Sequence, residues 1–371
     1  MILNIKSLTE LSGFYVIFNR TSINEYEGIY GISHLVEHLI SDNFKENAIN
    51  DFQNHGISWN AYTSPTNLVF FMTGLDKYVS RYRDMFLDSV LQLNMTDETF
   101  LNEKSVLLEE YTSLFNIQTS SHLLNLYRKF FNSYNSIGKK DDIIKITKKD
   151  CYDYQKKYYT YPSKIINISK SSPFVKDMKF NDFKNDFHLS YIKNNKCVIE
   201  HHDTHLNKSS IIYLSKVIEE DWANVFFINY LLSNTTFSPL YKNVRKDKGL
   251  AYYIKCSLDR MSDFSGINII STETDDYKVE KLMDILNSTL SDISFLTRDK
   301  FDIIKSSIKN KIETVTINRH TNVDTYIKPE SWSIEKQIDN ITYDNIVETY
   351  LKYYKVEDFY KSIDKKEFLK K

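Results

Sequence analysis

The sequence predicts two α+β domains of similar plan, near residues 1–180 and 190–371. Three observations carry this. The order strand, helix, hairpin, helices occurs twice along the chain. A polar stretch rich in Ser, Lys, Asn and Asp, from Ser169 to about Lys196, separates the two occurrences and reads as a linker. With 371 residues, 42% of them apolar, the chain is long and apolar enough to bury two cores.

The elements follow in order. Phe14, Tyr15, Val16, Ile17 and Phe18 make a strand within Gly13 to Asn19. Gly28-Ile29-Tyr30-Gly31 punctuates the chain before a helical pattern. Ile57 to Gly74 reads as a hairpin: Trp59 to Thr63, a turn at Pro65, then Leu68 to Met72. Helical periodicity runs from Tyr78 to about Phe131, broken near Asn94-Met95-Thr96, where Thr96-Asp97 can cap the next helix. Ile165 to Ile168 is a strand. Beyond the linker come strands at Cys197 to Glu200 and Ser210 to Leu214, a helix from Asp221, extended runs at Ala251 to Ser257 and Ile267 to Ser271, and helices to the C-terminus.

Composition excludes several classes of function. Lys+Arg is 48 and Asp+Glu is 49, a net charge of −1, whereas a nucleic-acid or anionic-membrane binder needs excess positive charge. Cys151, Cys197 and Cys256 are far apart and form no CxxC pair, which argues for a reducing compartment and against a disulfide framework or thiolate zinc site. The N-terminus has no secretory or transit pattern, and no run of about 18 apolar residues occurs. The expectation is a cytoplasmic protein with no nucleic-acid partner and no membrane insertion.

The informative segment is Gly31-Ile32-Ser33-His34-Leu35-Val36-Glu37-His38-Leu39-Ile40. On a helix, Ile32, Leu35, Val36, Leu39 and Ile40 share one apolar face. His34 and His38 are four apart on another face, so both imidazoles can reach one ion, with Glu37 beside it. Two neutral imidazoles suit Zn²⁺, and the adjacent carboxylate can take a proton from water. This is H-x-x-E-H, the inverse of the commoner H-E-x-x-H order. Composition alone yields such a pentapeptide on the order of 0.01 times per chain of this kind, so a solvated polar face with two chance histidines is the weaker reading. A catalytic zinc needs a third protein ligand. Candidates lie in Glu103-Lys104-Ser105-Val106-Leu107-Leu108-Glu109-Glu110, where Glu103 and Glu110 are two helical turns apart and Glu109 points elsewhere. His201-His202-Asp203-Thr204-His205 is a rival metal cluster, but His201 and His205 share no helix face there.

These residues resemble the pitrilysin/insulinase family of inverzincin zinc metallopeptidases, and the layout is closest to its short, mitochondrial-processing-peptidase-like members. Glu103-x-x-Val106-x-x-x-Glu110, with 71 residues separating His38 from Glu110, is similar to the family's downstream E-x-x-V-x-x-x-E. Asn60-Ala61-Tyr62-Thr63 resembles its N-A-x-T edge strand, and the stretch from Ser238 to Tyr252 resembles its S-P-L-x-x-x-x-R-x-x-x-G-L-A-Y. The resemblance spans about residues 14 to 290. The chain departs from the family in lacking the glycine common after the zinc helix and the usual Gly-Asp at Ser169-Lys170.

The resemblance implies a metallohydrolase fold of two similar α/β sandwich domains, with mostly antiparallel sheets and helices packed on one face. It implies one Zn²⁺ per chain held by His34, His38 and Glu110, Glu37 as general base, and Glu103 supporting the site. Asn60 and Ala61 would receive substrate as an added strand. Arg245 and Tyr252 would bind the peptide and stabilise the oxyanion. The expected activity is zinc-dependent endoproteolysis of peptides or unfolded segments in an enclosed chamber. The alternative is a non-catalytic or weakly catalytic recognition or structural subunit of a heteromeric peptidase. Relatives of that kind typically lose zinc residues, which this chain keeps. Because one chain carries both the zinc set and the Arg/Tyr pair, and supplies two domains where the family chamber has four, a homodimer is the expected assembly, with a heterodimer as alternative.

Overall fold

The computed structural model describes residues 1–47, 49–131, 136–183, 197–202, 208–262, 264–317 and 332–366. The chain forms two compact units: Met1–Thr112 with Ser133–Phe187 and Glu313–Lys328, and Ser113–Asn132 with His188–Ile312 and Pro329–Lys371.

The first unit holds a five-stranded sheet in the order β1-β5-β2-β4-β3. Its strands are β1 (Ile2–Lys6), β2 (Leu11–Phe18), β3 (Ser58–Thr63), β4 (Leu68–Leu75) and β5 (Lys164–Ser169). Only β1 and β5 run parallel; β2, β4 and β3 pair antiparallel. Helices α1 (Ile32–Asn47), α2 (Ile49–Asn54), α3 (Asp76–Val90), α4 (Asp97–Phe115), α6 (Lys140–Lys145) and α7 (Lys148–Tyr158) belong to this unit by residue number, α4 as far as Thr112. Phe14, Val16, Phe70 and Met72 are buried on the helix-facing side of the sheet. Tyr15, Ile17, Val69, Ile166 and Ile168 form a second cluster on the other side. Both faces of β2 are thus apolar, which is why the strand reads as an unbroken hydrophobic run.

The second unit repeats the topology. Its sheet order is β6-β10-β7-β9-β8, from β6 (Cys197–His202), β7 (Ser209–Ile218), β8 (Ile254–Arg260), β9 (Ser265–Thr274) and β10 (Tyr360–Lys366). Its first and last strands, β6 and β10, are again the parallel pair. One face carries a core of Ile211, Tyr213, Ile270 and Ile363 under α8 (Trp222–Ser233), α9 (Val279–Ser291), α10 (Arg298–Ile317) and a last helix, Tyr343–Tyr353.

Four details differ from the reading of the sequence. The helical stretch ending near Phe131 breaks again at Asn116-Ile117, and α5 (Gln118–Phe131) belongs to the second unit, not to the segment 1–180. It lies on the sheet face opposite that core: His122, fully buried, bonds Ser210 Oγ at 3.0 Å and Ser362 Oγ at 2.8 Å. The chain does not end in helices, because β10 returns between β6 and β7. β10 escapes the alternation rule because the face it buries under α5 is itself polar, with Ser362 and Asp364 fully buried. The first strand, β1, and a three-residue shift of the run at 251–257 to Ile254–Arg260 are the other differences. The linker is irregular as far as Phe183. No helix among the described residues is long and apolar enough to cross a membrane.

Candidate metal centre

Helix α1 is placed by its apolar face. Ile32, Leu35, Val36, Leu39 and Ile40 are all essentially inaccessible. Burying each such side chain is worth about 1.5–3 kcal/mol, against about 1 kcal/mol at most for a surface ion pair, so this face fixes the rotation of the helix. His34, Glu37 and His38 then project from the adjacent face.

The start of α1 is built from outside the helix. A helix leaves its first amides unpaired, and α1 has no acidic residue in its first turn. Glu25 supplies the acceptor: Gly31 N–H donates to its Oε2 at 2.7 Å and Ser33 N–H to its Oε1 at 2.9 Å. Burial pushes Glu25 up to about 7, Asp142 adds to the rise, and the donors at Gly31 and Ser33 oppose it. Asp142 accepts from the amides of Gly28 at 2.8 Å and Tyr30 at 3.3 Å. Gly31 (φ 101°) and Gly138 (φ 80°) let the two loops touch: a Cβ on Gly138 would stand 2.3 Å from Gly31 Cα. Ser33 Oγ and the Tyr154 hydroxyl, 3.0 Å apart, tie the same turn to α7.

Three of the residues singled out in the sequence converge. His34 Nε2 and His38 Nε2 are 3.2 Å apart. Glu110, on α4, brings Oε2 within 3.6 Å of His34 Nε2 and Oε1 within 3.7 Å of His38 Nε2. Two nitrogen ligands at about 2.0–2.1 Å from one tetrahedral zinc stand about 3.3–3.4 Å apart, so the set fits that ion. Among the described residues, His34, His38 and Glu110 are the three-residue group with metal-binding geometry. Their side-chain exposures, 16%, 12% and 46%, leave the group shielded on the histidine side and open beside Glu110.

The surroundings suit a ligand role. Burial, with His38 nearby, pushes His34 down to about 3 despite the Ser136 backbone, so its imidazole is neutral. His38 Nδ1 lies 3.1 Å from Glu103 Oε2, and a proton held between them on Nδ1 leaves Nε2 free to act as a ligand. Glu37 is 3.9 Å from His34 Nε2, and burial raises its pKa, with Glu110 adding and His38 and Thr63 opposing. The Thr63 hydroxyl donates to Glu37 Oε2 at 2.9 Å.

Asn60 and Ala61 lie on β3, which pairs with β4 and forms the outer edge of the first sheet. The Asn60 side chain folds back to accept the Ala61 amide at 2.8 Å. Arg245 and Tyr252 are in the second unit. The guanidinium sits 4.6 Å from the centre of the Tyr252 ring, and that ring is 74% exposed. The rival cluster at 201–205 lies outside the described side chains.

Comparison with known proteins places the chain in a family. A family profile described as "Insulinase (Peptidase family M16)" matches residues 1–137, and one described as "Peptidase M16 inactive domain" matches residues 169–308. The chain belongs to the insulinase/pitrilysin peptidase family. Within the family it is 23% identical over 293 residues to the uncharacterized zinc protease YmxG of Bacillus subtilis, covering 73% of this chain and 70% of that one. It is 28% identical over 166 residues to the zinc protease PqqE of Helicobacter pylori, covering 41% and 36%. The fold is that of a protease from Helicobacter pylori, with TM-score 0.77, 17% identity and coverage of 98% and 96%. His34, His38 and Glu110 fall within the first matched segment.

Sequence reasoning did not single out Glu25, Asp142 or a role for Thr63. Glu25 six residues before Gly31 was the one readable signal; Thr63 and Asp142 reach the site from 26 and more than 100 residues away.

Proposed function

We propose that this protein is a zinc-dependent endopeptidase acting on peptides or unfolded polypeptide segments. The observation that carries the reading is the convergence of His34, His38 and Glu110 with Glu37 beside them. His34, His38 and Glu110 would hold one Zn²⁺. That ion supplies acidification of water and polarisation of the scissile carbonyl.

The rest falls to the chain's own residues. Glu37 accepts the proton of the attacking water and delivers it to the leaving amide nitrogen. Its buried position, which disfavours the charged carboxylate, makes it a stronger proton acceptor than a solvated glutamate. Glu103 holds His38 in the ligand tautomer. The outer edge of β3, at Asn60 and Ala61, would receive an extended substrate as an added strand, which reads shape with little demand on side chains. Arg245 and Tyr252 are assigned to substrate and oxyanion binding on the family resemblance, and a homodimer is proposed on the same ground.

The test is Glu37→Gln. The variant should fold, keep about one zinc per chain, and lose cleavage of a diverse peptide mixture by several orders of magnitude, read by mass spectrometry. A wild-type protein that binds zinc and cleaves nothing would favour the recognition-subunit reading.

A further inference from the structure

We propose that Thr63 is a positioning residue for the general base, its hydroxyl holding the Glu37 carboxylate in the orientation that proton transfer needs. The inference rests on the endopeptidase reading and extends it.

The geometry is built from two elements. Glu37 and Phe44 are seven residues apart on α1, two turns along one face. Trp59 and Thr63 are four apart on β3 and therefore share the sheet face that looks toward the helices. The pairs meet. Trp59 stacks obliquely on Phe44 with ring centres 5.0 Å apart, and Thr63 Oγ1 donates to Glu37 Oε2 at 2.9 Å. The aromatic contact fixes how β3 lies along α1, and that register sets Thr63 against Glu37. The backbone amide of Thr63 faces the same carboxylate.

The need for such a device follows from burial. Glu37 is only 7% exposed, so water does little to order its carboxylate. A carboxylate that can rotate about its last torsion spends time away from the reacting water. A misplacement of about 1 Å at a catalytic group can cost on the order of 10²-fold in rate. A hydroxyl and an amide from one residue remove that freedom. Thr63 also ends the strand whose outer edge would receive the substrate, so pairing of substrate with β3 would stiffen the support of the base.

The test separates the hydroxyl from the shape of the side chain. Thr63→Val keeps the branched outline and removes the donor; Thr63→Ser keeps the donor and removes the methyl group. With zinc bound, Thr63→Val should lower kcat about 30- to 100-fold with KM within about twofold and zinc content unchanged. Thr63→Ser should stay within about threefold of wild type. Equal activity of the two variants, or a change confined to KM, overturns the proposal. A second measurement needs no activity. In metal-free protein, Thr63→Val should lower Tm by a few degrees, since a hydrogen bond to a charged group is lost. In a Glu37→Ala background the same change should cost less than half as much. Additive shifts would mean that the bond does not form and overturn the proposal directly. Coupled shifts in a protein that cleaves no peptide would overturn the endopeptidase reading, and the catalytic role of Thr63 with it, while the bond itself stands.

Discussion

Nδ1 of His38 and Oε2 of Glu103 stand 3.1 Å apart, with both side chains only 12% exposed. Glu103 and Glu110 sit two turns apart on α4, and they take the two nitrogens of one imidazole: Glu103 faces Nδ1 and Glu110 faces Nε2. On the proposed reading, one carboxylate orients the ring and the other would join it as a ligand. Glu103→Gln should weaken zinc binding about 10- to 100-fold, the usual cost of losing an outer partner of a histidine ligand. Competition with a chelator of known affinity measures this; unchanged affinity would leave Glu103 without that role.

The register of the third ligand is open to a neighbouring-residue test. Wild type should carry about one zinc per chain. Glu110→Gln should lose both metal and cleavage. Glu109→Gln should change neither, since Glu109 is exposed and absent from the converging group. Elemental analysis of both variants decides it, and interchange of the two results would place the ligand at 109.

The loop contact in front of α1 predicts a steep cost at one glycine. A Cβ at Gly138 collides with Gly31 Cα at 2.3 Å and is held at a φ of +80°. Gly138→Ala should destabilise by about 2–4 kcal/mol, combining overpacking with a left-handed backbone. Gly56→Ala is the control, since φ is +64° there but nothing lies within 4 Å. It should cost only the backbone component, about 1–2 kcal/mol. Comparable thermal shifts in the two variants would show that the loops separate to admit the methyl group.

Glu25 predicts the direction of a pH effect on stability. Its carboxyl rises from 4.5 to about 7 on folding, chiefly through burial. The folded chain therefore holds this proton more tightly than the unfolded chain. The resulting stabilisation is full below the unfolded pKa of about 4.5 and is lost as pH climbs through about 7. Glu25→Gln keeps the shape and cannot titrate. Metal-free wild type should lose Tm relative to this variant between pH 5 and about 7.5; parallel Tm curves would show that Glu25 stays ionised in the fold.

Much of the site was legible because its determinants are local. The 3.6-residue period places His34, Glu37 and His38 together on α1 and puts Ile32, Leu35, Val36, Leu39 and Ile40 on the buried side, and neither result needs a distant residue. The cap of α4 was equally local: Thr96 Oγ1 accepts the Thr99 amide at 3.0 Å. The two-fold repetition of elements likewise announced two sheets of one topology.

Tertiary structure decided what depends on side chains brought together from afar. Spacing along α4 left Glu103 and Glu110 equivalent; packing of α4 against α1 gives one Nδ1 of His38 and the other Nε2. The support of Glu37 comes from another strand, and the start of α1 is closed by a carboxylate in the preceding loop. The strand β10 stayed hidden for a related reason. Sequence patterning detects a buried face by its apolarity, and here Ser362 and Asp364 are buried on a polar face, where Ser362 meets His122 from a helix more than 200 residues earlier in the chain. Periodicity is written into neighbouring residues, but polar burial becomes stable only once the partner that satisfies it has been delivered by the fold.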